Sequence, residues 1–369
     1  MNTRRIGISL GQIGALHDGL GEFSLQIGQR LAARASAWQA QQRSSFDFRF
    51  DFRFDFHLRG KLFGLFGDEV GYLPVTRWQR VRHVQPVHYD LWHSLHQHNK
   101  TLAPRCGGQP TGVRLVTVHD LNHLYGPQGW RAWRQQQRAL ALMRRTDAVV
   151  AISHHTAADV RQHLGWTGEL SVIHNGARSF VATPQEPLPG WAVNDTRPFL
   201  FHLSRMSASK NPQALIEMAR LWPEMLFVFC GPPSEEAKAL RSSVHLPNLQ
   251  IHLGISDAQK AWAYAHCSGF LFPSLTEGFG LPPIEAMHFG KPVFLARRTS
   301  LPEIGGDAAD YFDSFDPAAM KQRVQRGLMR HNEPGRANAI RHHAAQFNWD
   351  RAADAYLALY QRLLNLTPG

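Results

Sequence analysis

Short apolar runs along this chain alternate with stretches of helical spacing. RRIGISL is one such run, and FSLQIGQRLAARA after it sets Phe23, Ile27 and Leu31 four residues apart, the interval of one helix face. VRLVTVHDL, TDAVVAISHHT and LSVIHNG are three further runs, each ending in polar residues. Strands and helices in strict alternation are the signature of parallel βαβ units. Ligands of such sheets bind beyond the carboxyl ends of the strands, so the polar residues that close each run are site candidates.

The segment RSFVATPQEPLPGWAVNDTRP, residues 178 to 198, is rich in proline and interrupts the periodicity, as a linker does. A second series follows: RPFLFHLS, MLFVFCG, LQIHLG, GFLFPSL and KPVFLA read as strands, with QALIEMARLW and DAQKAWAYA as helices between them. The pattern predicts an α/β protein with two Rossmann-like domains of similar size facing across a cleft, at 1–180 and 181–346. The last segment, 347–369, contains an amphipathic helix with Tyr356, Leu359, Tyr360 and Leu363 on one face.

SSFDFRFDFRFDFHLRG departs from this rhythm, with Phe at every second position from 46 to 56. Period-two alternation predicts a strand with one buried face. A functional aromatic platform is the weaker reading, because Asp balances Arg between the rings, whereas nucleic-acid readers interleave exposed aromatics with basic residues. Left open to solvent, such a strand would invite aggregation, so it should be covered.

Charge adds a second kind of information. The chain of 369 residues carries a net charge of +11, and residues 1–180 hold 22 Lys and Arg against 12 Asp and Glu while the rest is nearly balanced. A basic front half attracts phosphates, whether on nucleic acid, an anionic bilayer or a phosphorylated lipid. Cys106, Cys230 and Cys267 are widely spaced, which fits a reduced, cytoplasmic protein better than a disulfide scaffold or zinc site. No run of about 18 uncharged apolar residues predicts a transmembrane helix. The glycine-broken stretch after Arg4 and Arg5 reads as a first strand and its loop rather than a signal peptide.

Three segments carry candidate chemistry. His17-Asp18-Gly19-Leu20-Gly21 falls between the first strand and first helix, where backbone amides at Gly19 and Gly21 can face an anion, although the spacing is not a full dinucleotide fingerprint. SRMSASKN places Arg205 and Lys210 after the first strand of the second domain, a planar fork and a point charge that together suit a diphosphate. TEGFGLPPIEAMHFGKP sets Glu277 and Glu285 eight apart around a glycine turn and two prolines. Phe279, Gly280 and Leu281 can present backbone N–H groups to phosphate, Pro282 and Pro283 set a helix start, and Glu285 is expected in its first turn. Each carboxylate can accept two sugar hydroxyls.

E-GFGLPPI-E, SR-x4-KN, the His-Asp pair of VTVHDL, AISHHTAADV, VIHNG and SLPEIGGDAADYF together resemble the retaining glycosyltransferases of the GT-B fold defined by a Glu-x7-Glu motif, over nearly the whole chain. The resemblance implies a nucleotide-sugar donor held mainly by the C-terminal domain, a glycan or lipid-linked acceptor on the N-terminal one, and a last helix that crosses back to the N-terminal domain. It implies that Glu277 binds donor sugar hydroxyls and Glu285 ribose hydroxyls, and that Arg205 and Lys210 hold the diphosphate with the amides of Phe279, Gly280 and Leu281. His119 is implied against the sugar, with Gly19 and Gly21 over the phosphates. The motif SLPEIGGDAA is similar to mannosyl- and rhamnosyl-transferring relatives, which leans the donor toward GDP-mannose.

No Asp-x-Asp motif occurs, so neither a metal nor another cofactor is expected. His93, His96 and His98 beside His119-Asp120 suggest an alternative, an HD-type metal phosphohydrolase, but that fold is helical and VRLVTV reads as a strand. A nucleic-acid-binding protein is a second rival, raised by the sequence pI near 10 and unsupported by any nucleic-acid motif. An inactive homologue is a third. Docking on the inner face of an anionic cytoplasmic membrane accounts better for the basic half, with surface polysaccharide or lipopolysaccharide assembly as the setting and no nucleic-acid partner.

Overall fold

The computed structural model describes residues 4–10, 19–42, 52–75, 87–97, 105–106, 109–110, 112–126, 128–191 and 197–365. The chain divides into two compact units, one of residues 1–176 with 348–369 and one of 177–347. The division falls at Gly176, four residues before the expected boundary. His17 and Asp18 of the glycine segment, His98 and the start of the Phe-alternating run lie outside the described residues.

The first unit is built on strands β1 (Arg4–Ser9), β2 (Phe52–Leu58), β3 (Gly71–Pro74) and β4 (Leu91–Ser94), with a short antiparallel pair β5 (Arg105–Cys106) and β6 (Gln109–Pro110). Strands β7 (Val113–Val118), β8 (Ala148–Ala151) and β9 (Glu169–Val172) complete it. Seven strands form one parallel sheet in the order β3-β2-β1-β4-β7-β8-β9. Alternation along β7 shows why both faces are covered. Leu115 joins the core beneath the helices Gly19–Gln42 and Trp349–Leu363, while Val116 and Val118 join the core beneath Trp130–Met143 and His154–Leu164.

Phe23, Ile27 and Leu31 are all buried, as their spacing demands. Gly19 and Gly21, expected in a loop, lie in the described helix Gly19–Gln42 that carries these residues. Strand β2 lies inside the sheet between β1 and β3, which covers it, and Phe52, Phe54 and Phe56 are buried. Its second face is solvated only at Arg53, near the strand's start: Asp55 and His57 are buried too, Asp55 paired with Arg5 and His57 hydrogen-bonded to the Tyr89 hydroxyl at 2.7 Å. An interior strand of a parallel sheet is covered on both faces over most of its length, which overrides the one-sided expectation.

The last helix, Trp349–Leu363, packs on the first unit through Trp349, Tyr356 and Tyr360. A buried polar chain fixes it there. The Tyr360 hydroxyl lies 2.7 Å from His93 Nδ1, His93 Nε2 lies 2.8 Å from Thr117 Oγ1, and Thr117 Oγ1 lies 3.0 Å from the Tyr356 hydroxyl. Burial pushes the His93 imidazolium down to about 3, so the ring is neutral and can both donate and accept.

The second unit holds β10 (Phe199–Leu203), β11 (Leu226–Gly231), β12 (Leu249–Leu253), β13 (Gly269–Phe272), β14 (Val293–Ala296) and β15 (Asp310–Phe312). They form a parallel sheet in the order β12-β11-β10-β13-β14-β15, the 3-2-1-4-5-6 arrangement of a dinucleotide-binding fold. Phe227, Phe229, Phe294 and Phe312 fill its core against the helices Pro212–Arg220 and Pro317–His331. The proline-rich segment is no free linker over its described part. Phe180 is buried with the Arg178 guanidinium and the Lys260 ammonium each 4.7 Å from its ring centre, and Arg178 also pairs with Asp257 at 2.9 Å.

Candidate active site

In the second unit the strand order reverses between β10 and β13, and the crevice outside such a reversal is where open α/β sheets bind ligands. The loops that follow these two strands carry Arg205 with Lys210 and Glu277 with Gly280. Topology alone therefore brings the two most charge-bearing motifs of the second unit to one place.

A histidine sets the floor of this crevice. His202, near the end of β10, is fully buried, with Nδ1 donating to the Leu271 carbonyl of β13 at 2.8 Å. Its Nε2 then accepts from the Ser204 hydroxyl at 2.7 Å, and Ser204 Oγ accepts the Met206 N–H at 3.0 Å. Burial, aided by the Lys210 charge, lowers the His202 pKa to about 4, so the ring serves as a neutral peg. The loop it steadies has two non-glycine residues with left-handed backbone, Met206 (φ 56°) and Asn211 (φ 51°). Such conformations are costly and mark segments held in place by their surroundings.

Lys210 Nζ meets Glu277 Oε1 at 2.5 Å, and the Ser274 hydroxyl donates to the same oxygen at 2.7 Å. Ser274 Oγ also lies 3.2 Å from the Ser209 carbonyl, and the Leu275 N–H donates to that carbonyl at 2.8 Å, so the two loops are laced together. From the other side, the Glu277 N–H donates to Thr299 Oγ1 at 3.0 Å, and Ser300 Oγ donates to the carbonyls of Glu277 at 3.1 Å and Phe279 at 2.8 Å. Thr299 is a third non-glycine residue with positive φ, 50°. Glu277 is thus positioned by contacts from its own loop and from two others.

Gly280 precedes the helix Leu281–His288 with φ 120° and ψ 63°, a conformation side-chain-bearing residues rarely adopt, and a Cβ there would stand 3.0 Å from Leu301. Four amides at a helix start lack helical partners, but Pro282 and Pro283 have no N–H. The donors this helix start can present are therefore those of Gly280 and Leu281. Phe279 is buried, its ring edge-on to Phe347 at 5.8 Å. Arg205 is exposed on the neighbouring loop.

Glu285 is the fifth residue of its helix rather than a first-turn residue, because the helix starts at Leu281 and takes in both prolines. The Tyr264 hydroxyl donates to Glu285 Oε2 at 2.8 Å. Tyr264 itself is wholly buried, and burial followed by the neighbouring Glu285 charge raises its pKa, keeping it a donor. Sequence reasoning missed Ser274, Thr299, Ser300, His202 and Tyr264. The hydroxyl three residues ahead of Glu277 and the Thr-Ser pair opening the SLPEIGG motif were the available signals; nothing in the sequence points from Tyr264 to Glu285.

His119, Gly19 and Gly21 belong to the first unit. His119 follows β7 and is buried, its Nε2 donating to the Leu95 carbonyl at 2.8 Å and its backbone N–H to Gln97 Oε1 at 3.0 Å. Its ring meets Phe23 edge-on at 4.5 Å and His96 at 5.0 Å. Among the described residues, a Cβ built on Gly19 would meet nothing within 4 Å beyond its chain neighbours and the backbone of its own helix. The metal-phosphohydrolase alternative finds no support in the described residues: β7 is a strand, His93 is spent on hydroxyl partners, and no group of three metal-ligating side chains includes His93, His96, His119 or Asp120.

Comparison with known proteins bears on this arrangement. The family model described as Glycosyl transferases group 1 matches residues 188–341, and Glycosyltransferase Family 4 matches residues 24–178. The serotype-specific mannosyltransferase WbdA of Escherichia coli is 28% identical over 277 residues, 68% of this chain and 33% of the relative. The chain thus spans about a third of the length of that curated relative. Among solved structures, the sucrose-phosphate synthase of Thermosynechococcus elongatus superposes with a TM-score of 0.72 at 18% identity, covering 98% of this chain and 99% of that one. Anabaena HepE in complex with UDP and glucose gives 0.68 at 16% identity, covering 97% and 99%. With a family model matched to each of its two parallel-sheet units and the same fold in these structures, the chain belongs to the group 1 glycosyltransferases of the GT-B type.

Proposed function

We propose that this protein is a retaining glycosyltransferase that moves a hexose from a nucleoside diphosphate sugar, with GDP-mannose favoured, to a glycan or lipid-linked acceptor in surface polysaccharide or lipopolysaccharide assembly. The observation that carries the reading is the Lys210–Glu277 pair at the switch point of the second unit, with the Gly280 and Leu281 amides at the adjoining helix start. The lean toward a mannosyl donor is supported by the name of the E. coli relative.

In this mechanism Lys210 and Arg205 bind the diphosphate and stabilise the charge that develops on it as the glycosidic bond breaks, assisted by the two amides. Glu277 accepts donor sugar hydroxyls and Glu285 ribose hydroxyls. A double displacement needs a carboxylate beyond the anomeric carbon, and none is identified. The acceptor therefore attacks from the face the diphosphate leaves, and a donor phosphate oxygen takes its proton. The cationic side chains and amides perform the task a metal would, so turnover persists with chelator. His119, Gly19 and Gly21 keep the donor-side roles given by the family resemblance.

The test is a thermal-shift titration with GDP-mannose, UDP-glucose, UDP-GlcNAc and dTDP-rhamnose, each with and without EDTA. A ligand bound by the folded state raises the melting temperature with its occupancy. Stabilisation by one donor in EDTA, followed by its transfer with the anomeric configuration kept, is the expected result. No shift with any nucleotide sugar, or turnover abolished by EDTA, overturns the reading.

A further inference from the structure

We propose that the outer face of the helix Trp130–Met143 is a docking surface for an anionic lipid bilayer; the proposal rests on the membrane-linked acceptor of the preceding reading. The inner face of this helix is settled: Ala132 is buried, and Ala139, Leu142 and Met143 share a core with Val116 and Val118 of β7 and Val149 of β8. The outer face is unusual. Trp130 is 67% and Trp133 55% exposed, and the two rings stack on each other at 5.2 Å with an interplanar angle of 23°. Large aromatic side chains are normally withdrawn from water, so a solvent-facing pair marks a contact surface.

The charge around the pair selects the partner. At about 100° per residue, Trp130 and Trp133 form one stripe, and Arg134, Arg138 and Arg131 form the next, about 40° to 100° round the helix from Trp130. All three arginines are exposed. Arg144 and Arg145 follow the helix end, also exposed, and from Leu121 to Thr146 the sequence contains no Asp or Glu. Indole rings favour the headgroup level of a bilayer, where an apolar body and a polar N–H are both accommodated. Arginines beside them face lipid phosphates, each contributing roughly fivefold to partitioning on an anionic surface. An aromatic platform for sugars would not require an unbroken basic flank. No described helix is long and apolar enough to cross a membrane, so attachment would lie along the surface.

The experiment uses the full chain with vesicles of phosphatidylcholine alone and with 30% phosphatidylglycerol, by cosedimentation at low and high salt. Quenching of tryptophan emission by brominated lipid reports insertion. Expected is binding to the anionic vesicles that weakens with salt, with quenching that disappears in Trp130→Ala/Trp133→Ala and affinity at least tenfold lower in Arg131→Gln/Arg134→Gln/Arg138→Gln. Unchanged vesicle affinity and quenching in both variants overturns the proposal and moves any membrane contact elsewhere. Absence of vesicle binding by the unaltered protein, or a soluble glycan altering the Trp130/Trp133 emission in its place, also overturns it. Thermal-shift response to nucleotide sugars in the same variants separates the two readings. A retained response without vesicle binding sinks the docking face alone, and vesicle binding without any nucleotide response sinks the glycosyltransferase reading.

Discussion

The hydroxyl of Tyr264, a side chain with no solvent exposure, donates its hydrogen bond to one oxygen of Glu285, 21 residues further along the chain. The bond holds one edge of the carboxylate and fixes the plane in which it can accept. Replacing Tyr264 by Phe keeps the ring packing against Phe201 and Phe270 and removes the donor. A hydrogen bond to a charged group is worth about 1.5 kcal/mol or more, so nucleoside diphosphate affinity should fall roughly tenfold with kcat little changed. Calorimetric titration checks this; unaltered affinity would remove Tyr264 from the binding apparatus.

Lys210 and Glu277 are expected to matter in two separable ways. Their side chains are 20% and 12% exposed, so removing one partner leaves a charge poorly solvated. Lys210→Ala or Glu277→Gln alone should destabilise the protein. The double variant should recover part of the loss, with a coupling of about 1 to 3 kcal/mol in a denaturation cycle. Activity should behave otherwise: each single change is expected to lower kcat a hundredfold or more, with no recovery in the double variant. Recovery of activity along with stability would reduce the pair to a structural tie.

Asn211 closes the Lys210 loop in left-handed backbone immediately before Pro212, the first residue of its helix. Asn tolerates that region better than Ala does. Asn211→Ala should cost about 1 kcal/mol, while Asn211→Gly should be neutral or slightly stabilising. Equal stability of the two variants by chemical denaturation would mean that the loop relaxes when the residue is changed.

Three buried histidines set an acid limit. Burial holds His57 and His93 down to about 3, and His202 down to about 4, against 6.5 for a free imidazole. Below pH 6.5 the unfolded chain takes up protons that the folded chain refuses. Stability contributed by the neutral rings is therefore complete above pH 6.5 and is lost as pH falls toward 4 and then 3. Each ring contributes a slope of about 1.4 kcal/mol per pH unit within its window. Melting temperature should drop steeply between pH 6 and 4.5, and His202→Gln should flatten the drop. A flat profile from pH 7 to 4.5 would contradict the neutral assignments.

The two βα series were legible because each strand is a short apolar run and each helix repeats on a four-residue interval, as at Phe23, Ile27 and Leu31. The glycine and proline pattern between Glu277 and Glu285 was legible for the same local reason. What escaped was long-range or conformational. His202 and Ser204 hold a loop by bonding across to β13, Tyr264 reaches a carboxylate from another helix, and Thr299 supports Glu277 from a left-handed backbone; no spacing rule encodes these. The buried second face of β2 was missed because alternation reports composition, whereas burial depends on which strands lie on either side.

The chain leaves the first unit at Gly176, builds the whole of the second, and returns at Asn348 to supply Tyr356 and Tyr360. On a ribosome, the order of completion is therefore the reverse of the order of synthesis. His93 and Thr117 wait for hydroxyl partners made more than 230 residues later, while the second unit has every residue it needs once Phe347 has emerged. The older half of the nascent chain stays unfinished until the final helix arrives, so a late stop codon would injure the amino-terminal unit first.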